Sequence, residues 1–540
     1  MNEKKQHTTQ EIRATGLAFI SVIACKGKQS VRKLASLIDI SKSSVHRHDQ
    51  SLEKRNQHPE SVLWATEAGQ TWLKLLYFAV LYTFGMECHV GADKLAKFFT
   101  LIRINTHVGT SASATRNQMN NIENILPLFQ QLCESKASNQ LRKAVVAGDE
   151  TFFGELLILV LMDLSSGYLI LEEISHDRSF DTWLAKAKPR LQALGIDVNH
   201  AISDRAKALI KLAVTGFDCQ SGADTFHAQY DVSKWLGAKL GRRKVQAEKQ
   251  HEVTLQALAK NPATDDTALL EQAIQNEKVC AETKVALAAY HENLPGIADE
   301  IHPFSILDNT HNDSESVISG LEQRAQAFEK IAQAQNIDDQ KQIIRKFRNQ
   351  FKSLAINVEF WWLWVAEILT DLAVDDVTQH WLTHTLLPIV YWHQQLHKTK
   401  NPKQREKCKQ AWQRAVHTWQ ADAFSATLPE SELERWLVWA EWMVRKFHRS
   451  SSAVEGRNGF LSQMYHNGRG LTAKRLRALT VIHNYGIKRL DGTTAAMRLF
   501  DREFPDLFSW LVKEMGELPL PRKARERVIH NPLFLITVPC

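Results

Sequence analysis

The chain has 540 residues, of which 44% are apolar and 24% charged, and its net charge is +7. At about 150 residues per domain this length predicts two to four domains, and the composition excludes disordered, collagen-like and coiled-coil classes for the bulk of the chain. Seven cysteines with no CxxC pair argue against a zinc ribbon or a disulfide framework and fit a reducing compartment. Residues 1–10 are polar, without the apolar stretch of a signal peptide. The longest apolar runs, Leu156–Met162 and Phe360–Val365, fall far short of the ~20 residues of a membrane span. The expectation is a soluble, cytoplasmic protein with no membrane partner.

The first 60 residues read as helices. Ile12, Leu17, Ala18, Ile20 and Ile23 follow helical spacing, Ser30 is placed to cap a short helix over Val31–Leu37, and Asp39-Ile40 makes a turn. Ser41 then caps a second helix running through Val45 towards Leu52, with Lys42, Ser43, Ser44, His46, Arg47 and His48 along it. Two short helices across a tight turn, the second polar and cationic, form a helix-turn-helix pattern suited to a major groove; a structural three-helix bundle shares it. Residues 61–140 continue as helix, with a further helical pair at Ala92–Ile102 and Ser111–Ile125.

From Val145 the period changes. Val145–Gly148, Leu156–Asp163 and Tyr168–Ile174 read as three strands of a meander, with Ser165-Ser166-Gly167 as a turn. An amphipathic helix follows over Phe180–Leu194, then a strand over Val198–Ser203 and a helix from Arg205. Three meandering strands, a helix, a fourth strand and another helix is the element order of a ribonuclease H-like core. Residues 232–445 show no strand pattern. No glycine occurs from Leu321 to Glu455, and ten of the fifteen tryptophans lie between Trp361 and Trp442, which predicts a helical domain with an aromatic core.

Charge is concentrated at two places. Residues 1–60 carry eleven Lys/Arg against six acids, and Lys446–Arg489 carries nine against the single Glu455, so +5 and +8 together exceed the whole-chain +7. Such zones are the footprint of a phosphate-backbone partner, with a solvated basic face as the alternative. Asp149 and Asp204 close the first and fourth predicted strands, which are parallel neighbours in such a sheet. Two carboxylates at matching strand ends are where a hard divalent cation finds oxygen ligands; each taken alone also reads as a helix cap. Glu455, the lone acid of the second basic zone, supplies a third.

These motifs resemble those of DDE-superfamily transposases of the bacterial insertion-sequence kind. The resemblance is carried by Gly148-Asp149-Glu150-Thr151, Ser203-Asp204-Arg205 and Val454-Glu455-Gly456-Arg457-Asn458-Gly459, and by Arg469-Gly470-Leu471 and Asp491-Gly492-Thr493-Thr494-Ala495-Ala496. Asp224-Thr225-Phe226-His227 is similar to the C/D-x-x-H motif of transposases with an all-helical insertion, such as the hAT and Mutator-like superfamilies. The 251 residues from Asp204 to Glu455 match an insertion before the last carboxylate.

The implied fold class is multidomain α + α/β, with an N-terminal helix-turn-helix bundle and a ribonuclease H-like mixed-sheet core interrupted by a large all-α insertion. Its expected parts are a DNA-binding segment (1–60), a helical linker bundle (61–143), the first part of the core (144–235), the insertion (236–445), the last part of the core (446–512) and a tail (513–540). The resemblance implies that Asp149, Asp204 and Glu455 are catalytic and hold two Mg²⁺ ions, roughly 3.5–4 Å apart as in two-metal sites, with Mn²⁺ able to substitute. Asp224 and His227 are auxiliary candidates, each also readable as structural. Expected DNA contacts are Lys42, Ser43, Ser44, His46, Arg47, Arg457, Asn458, Arg469, Lys474 and Arg475. The implied partners are double-stranded DNA, as element ends and target, and a second copy of the chain in a synaptic complex of dimer or higher order, in a prokaryotic, nucleoid-associated setting. The implied activity is Mg²⁺-dependent strand cleavage and strand transfer. A domesticated, inactive DNA-binding regulator and a nuclease without strand transfer are the alternatives.

Overall fold

The structure is a computed structural model, and it describes residues 30–64, 66–137, 140–260, 267–467 and 469–521. The helical spacing read at Ile12–Ile23 lies outside these residues. Helices dominate, and one mixed five-stranded sheet accompanies them. Among the described residues, no helix is long and apolar enough to cross a membrane.

The chain divides into two compact units. One comprises Met1–Cys133, Ser462–Ile487 and Glu503–Cys540, and the other Glu134–Leu461 with Lys488–Arg502. The segment expected to complete the sheet unit, 446–512, is therefore shared between the two.

In the first unit, α1 (Val31–Ile38) and α2 (Lys42–Arg55) lie across a short turn. The Ser30 hydroxyl accepts from Lys33 N at 3.4 Å to cap α1, and Asp39 ends it in the left-handed conformation at φ 54°. The Ser41 hydroxyl accepts from Ser44 N at 3.2 Å as α2 begins. Lys42, Ser43, His46 and Arg47 are exposed on α2, while Val45 and His48 are buried. The unit also contains the long α3 (Ala112–Ala137, which continues into the second unit).

In the second unit the strands are β1 (Arg142–Phe153), β2 (Leu156–Asp163), β3 (Leu169–Ser175), β4 (Ile196–Ser203) and β5 (Gln220–Ala223). Their order is β3-β2-β1-β4-β5, with β1–β2 and β2–β3 antiparallel and β1–β4 and β4–β5 parallel. The first strand is much longer than the predicted Val145–Gly148, because polar residues as far as Thr151 stay paired with the apolar β2. Strand β2 is buried along nearly its whole length, so it reads as a continuous apolar run rather than an alternation.

Helix α4 (Phe180–Leu194) falls where its periodicity places it, capped by Ser179 and ended by Gly195 in the left-handed region at φ 63°. Helix α5 (Thr225–Val232) follows β5 directly. Among the described residues the stretch from Ser233 to Arg445 is helical, with no strand. Within it, α6 (Phe351–Asp371) packs on β5. Trp361 and Trp364 on α6 are core residues, and the Trp361 indole donates to Met443 O at 3.0 Å, so its N–H is satisfied where its ring is buried. Burying such a side chain contributes roughly 2–3 kcal/mol. Two helices follow the all-helical stretch, α7 (Ser452–His466) and α8 (Ala473–Val481).

Candidate active site

The parallel β1–β4 ladder fixes two of the candidate carboxylates. Its last pair is Ala147 with Ile202, so Asp149 and Asp204 each stand two residues beyond it. Residues two apart in a strand share a face, and paired residues of neighbouring strands share one too. Asp149 is not at the end of β1 as expected, because that strand runs on against β2. It is nevertheless where β1 and β4 part. Just after Asp204 the chain turns sharply, with Arg205 in the left-handed region at φ 73°, a costly backbone for a residue with a Cβ. The Arg205 guanidinium donates to Ser221 O at 3.1 Å, and Asp204 Oδ1 accepts from Ala206 N at 2.9 Å.

Glu455 arrives from α7, and three sets of contacts seat that helix. Asp224, the N-cap of α5, accepts from Ser451 N at 3.2 Å and from the Ser451 hydroxyl at 2.7 Å. Thr225 donates its backbone N–H and its hydroxyl to Arg449 O at 3.0 and 2.7 Å. The segment just ahead of α7 is thus tied to the start of α5. Arg457 makes a doubly hydrogen-bonded ion pair with Glu172 at 2.6 and 2.7 Å, and Asn458 donates Nδ2 to Asp149 Oδ2 at 2.6 Å. Register explains the spacing: Asp149 pairs with Val160, and Val160 with Glu172, so α7 is pinned at both ends of one cross-strand row.

His227 joins the group one turn into α5. Its Nδ1 lies 2.8 Å from Asp224 Oδ2, and its Nε2 lies 3.7 Å from Glu455 Oε1. The Asp224 hydrogen bond, reinforced by the charges of Asp224, Glu455 and Asp204, raises the imidazole to about 9 against the cost of burial. His227 is therefore a cation at neutral pH. Burial alone raises the Asp224 carboxyl, but hydrogen bonds from His227, Ser451 and Phe226 N outweigh it and leave the group below its ordinary value. Asp149 moves the other way. Burial, then the charges of Glu455 and Asp204, push it up to about 7 against a backbone hydrogen bond at Glu150.

Four carboxylates, Asp149, Asp204, Asp224 and Glu455, thus lie within electrostatic reach of one imidazolium, a local balance of −4 + 1 = −3. Three facing carboxylates with an amide oxygen beside them form an all-oxygen donor set, which fits Mg²⁺ or Mn²⁺ rather than a thiolate-seeking metal. Among the described residues, no three His, Cys, Asp or Glu side chains converge closely enough to enclose a cation in this arrangement. The carboxylates face one region without closing on a point.

Several expected DNA contacts are employed elsewhere. Arg457 and its partner Glu172 have side chains only 3% and 0% exposed, so this guanidinium is not presented to a phosphate. Asn458 is buried against Asp149 rather than open to solvent. In the first unit, Arg475 donates to Glu123 at 2.9 Å and to the carbonyls of Arg469 and Gly470, each at 2.7 Å. Arg469 reaches the same Glu123 at 3.3 Å and also donates to Gly85 O. The basic zone read in the sequence is therefore partly neutralised internally, because Glu123 lies far away in sequence. Lys474 stays half-exposed.

Sequence reasoning set Glu172 aside as a residue of a strand remote from the site, and missed Ser451. The hairpin register that puts Glu172 in the row of Asp149 was the available signal for the first. No local pattern marks Ser451.

A family model described as a family of unknown function (DUF6399) matches residues 382–527, a stretch that includes α7 with Glu455 and Asn458 but neither Asp149 nor Asp204. Comparison with curated proteins gives no match.

Proposed function

We propose that this chain is a DDE-type transposase that binds the ends of its element and catalyses divalent-metal-dependent DNA strand cleavage and strand transfer. The observation that carries the reading is the equal offset of Asp149 and Asp204 beyond the β1–β4 ladder, with Glu455 brought to the same face by α7. The strand order, three antiparallel strands continued by two parallel ones, agrees with a ribonuclease H-like core. The exposed polar face of α2 agrees with a helix-turn-helix that reads a major groove.

In this reading Asp149, Asp204 and Glu455 hold Mg²⁺, which when bound lowers the pKa of a water or 3′-hydroxyl and stabilises the leaving 3′-oxygen. The chain's own residues prepare the region. Asn458 fixes the rotamer of Asp149, and Asp224 holds the His227 Nδ1 proton, leaving Nε2–H directed towards Glu455. An imidazolium there partly offsets the repulsion between the carboxylates and a phosphodiester. Lys42, Ser43, Ser44, His46 and Arg47 supply polar and cationic groups for bases and backbone, and Lys474 adds a further cation. Synapsis of two element ends calls for a dimer or larger assembly.

One observation favours a second reading, a DNA-binding regulator without catalysis: the three carboxylates do not close on a point. Strand transfer separates the readings. Wild-type protein, Mg²⁺, a duplex carrying the end of the DNA element that encodes the chain, and a supercoiled target plasmid should give covalently joined products. Joined products absent from Asp204→Asn support the transposase. Cleaved ends without joining indicate a nuclease, and binding without either indicates the regulator.

A further inference from the structure

We infer that Asn458 is a fourth oxygen ligand of the cation site formed by Asp149, Asp204 and Glu455, acting through its side-chain Oδ1. The inference rests on the metal-dependent reading proposed above.

Asn458 lies three residues after Glu455 on α7, and residues three apart share a helix face. That face meets β1, where the Asn458 Nδ2 donates to Asp149 Oδ2 at 2.6 Å. The hydrogen bond fixes the amide's orientation, since the reverse placement would set an amide oxygen against a carboxylate oxygen. Covalent geometry then keeps Asn458 Oδ1 within about 5 Å of that same carboxylate oxygen. Asn458 is only 8% exposed, and its Oδ1 is buried with no hydrogen-bond partner among the described residues. A buried acceptor without a donor is uncommon in a folded protein and calls for an explanation.

The neighbourhood supplies one. The groups around Asp149 are mostly acceptors: Asp204, Glu455 and the carboxylate itself. A neutral amide oxygen beside three carboxylates adds a hard ligand without adding to the local charge of −3. The nearby donor, His227, is already directed at Asp224 and Glu455. What satisfies an acceptor next to other acceptors is a cation, and the residue types select one that prefers oxygen. The competing account makes Asn458 a donor only, a prop for Asp149 whose oxygen has no role.

Replacement by aspartate distinguishes the two, because an ionised Asp keeps an oxygen at this position and loses the donor. Full-length wild type, Asn458→Asp, Asn458→Ala and Glu455→Gln would be titrated with Mn²⁺ by calorimetry, with circular dichroism melts in chelator to confirm folding. The ligand role predicts Mn²⁺ affinity about tenfold or more weaker in Asn458→Ala, the range for losing a group that supports a metal site, and affinity equal to or tighter than wild type in Asn458→Asp. Weakening of both variants shows a donor only and overturns the inference, as does an unchanged Asn458→Ala. Should the alanine variant fail to fold, Asn458→Asp against wild type still decides. If wild type and Glu455→Gln both fail to bind Mn²⁺, the metal-dependent reading falls first, and this inference with it.

Discussion

Arg457 on α7 and Glu172 on β3 form an ion pair of 2.6 and 2.7 Å, almost wholly removed from water, between residues 285 apart in the sequence. Breaking such a pair strands a buried charge, at about 3–5 kcal/mol, whereas replacing both partners with apolar residues of similar size is often neutral or better. Arg457→Met should therefore lower the thermal midpoint sharply, and Arg457→Met with Glu172→Leu should recover most of the loss. Differential scanning calorimetry checks this; a single variant as stable as wild type would show that the pair is not the anchor of α7.

Gly222 in β5 has no room for a side chain. A Cβ there would stand 1.9 Å from Asn357 Oδ1 and 2.8 Å from His200 Nε2. Asn357 bridges α6 to the sheet, its Oδ1 2.8 Å from His200 Nε2 and its Nδ2 donating to Ala223 O at 3.0 Å. Gly222→Ala must push Asn357 away, with an expected cost of about 1–3 kcal/mol, typical of overpacking. An unchanged urea midpoint would contradict the tight approach of α6 to β5.

Acid should weaken the sheet-bearing unit. Burial lowers His200 to about 4 and His448 to about 3, and holds His302 well below its ordinary value. Each takes up a proton near 6.5 when unfolded but not when folded, so the unfolded state binds more protons between about pH 6.5 and 4 and stability falls as pH drops through that window. Asp149, raised to about 7, works in the opposite direction as one group against three. The thermal midpoint is expected to be lower at pH 5 than at pH 7.5. His200→Gln should reduce the difference; a midpoint that rises on acidification would show that these imidazoles are not buried as neutral groups.

The two basic zones should respond differently to charge removal. Lys42→Gln and Arg47→Gln act on exposed side chains of α2 and should weaken DNA binding, lowering the slope of log K against log salt by about 1 for each phosphate no longer neutralised. Arg475→Gln instead removes a partner of the buried Glu123 and should lower stability. Filter binding over a salt series, beside thermal melts, checks both. If Arg475→Gln weakened DNA binding while leaving the melt untouched, the Glu123 ion pair would not be its role.

The sequence made legible what is encoded locally. Ser30 as a cap, the bounds of α4, and the parallel neighbourhood of Asp149 and Asp204 all follow from patterns a few residues long. The partners of Arg457, Asn458, Arg469 and Arg475 were not legible. Each is chosen by a distant residue, Glu172, Asp149 or Glu123, and a run of cations reads the same whether it faces solvent or a buried acid. The true length of β1 was hidden for a related reason, because its polar second half is held by pairing with β2 rather than by its own propensity.

The central claim is a metal-dependent centre for DNA cleavage built on Asp149, Asp204 and Glu455. Its most direct test incubates wild type and Glu455→Gln with a labelled duplex carrying the element end and Mg²⁺, and resolves the strands on a denaturing gel. The expected result is cleavage by wild type alone, abolished by chelator, with both proteins binding the duplex equally. Equal cleavage by Glu455→Gln would remove Glu455 from the centre, and binding without cleavage by wild type would contradict the enzymatic account.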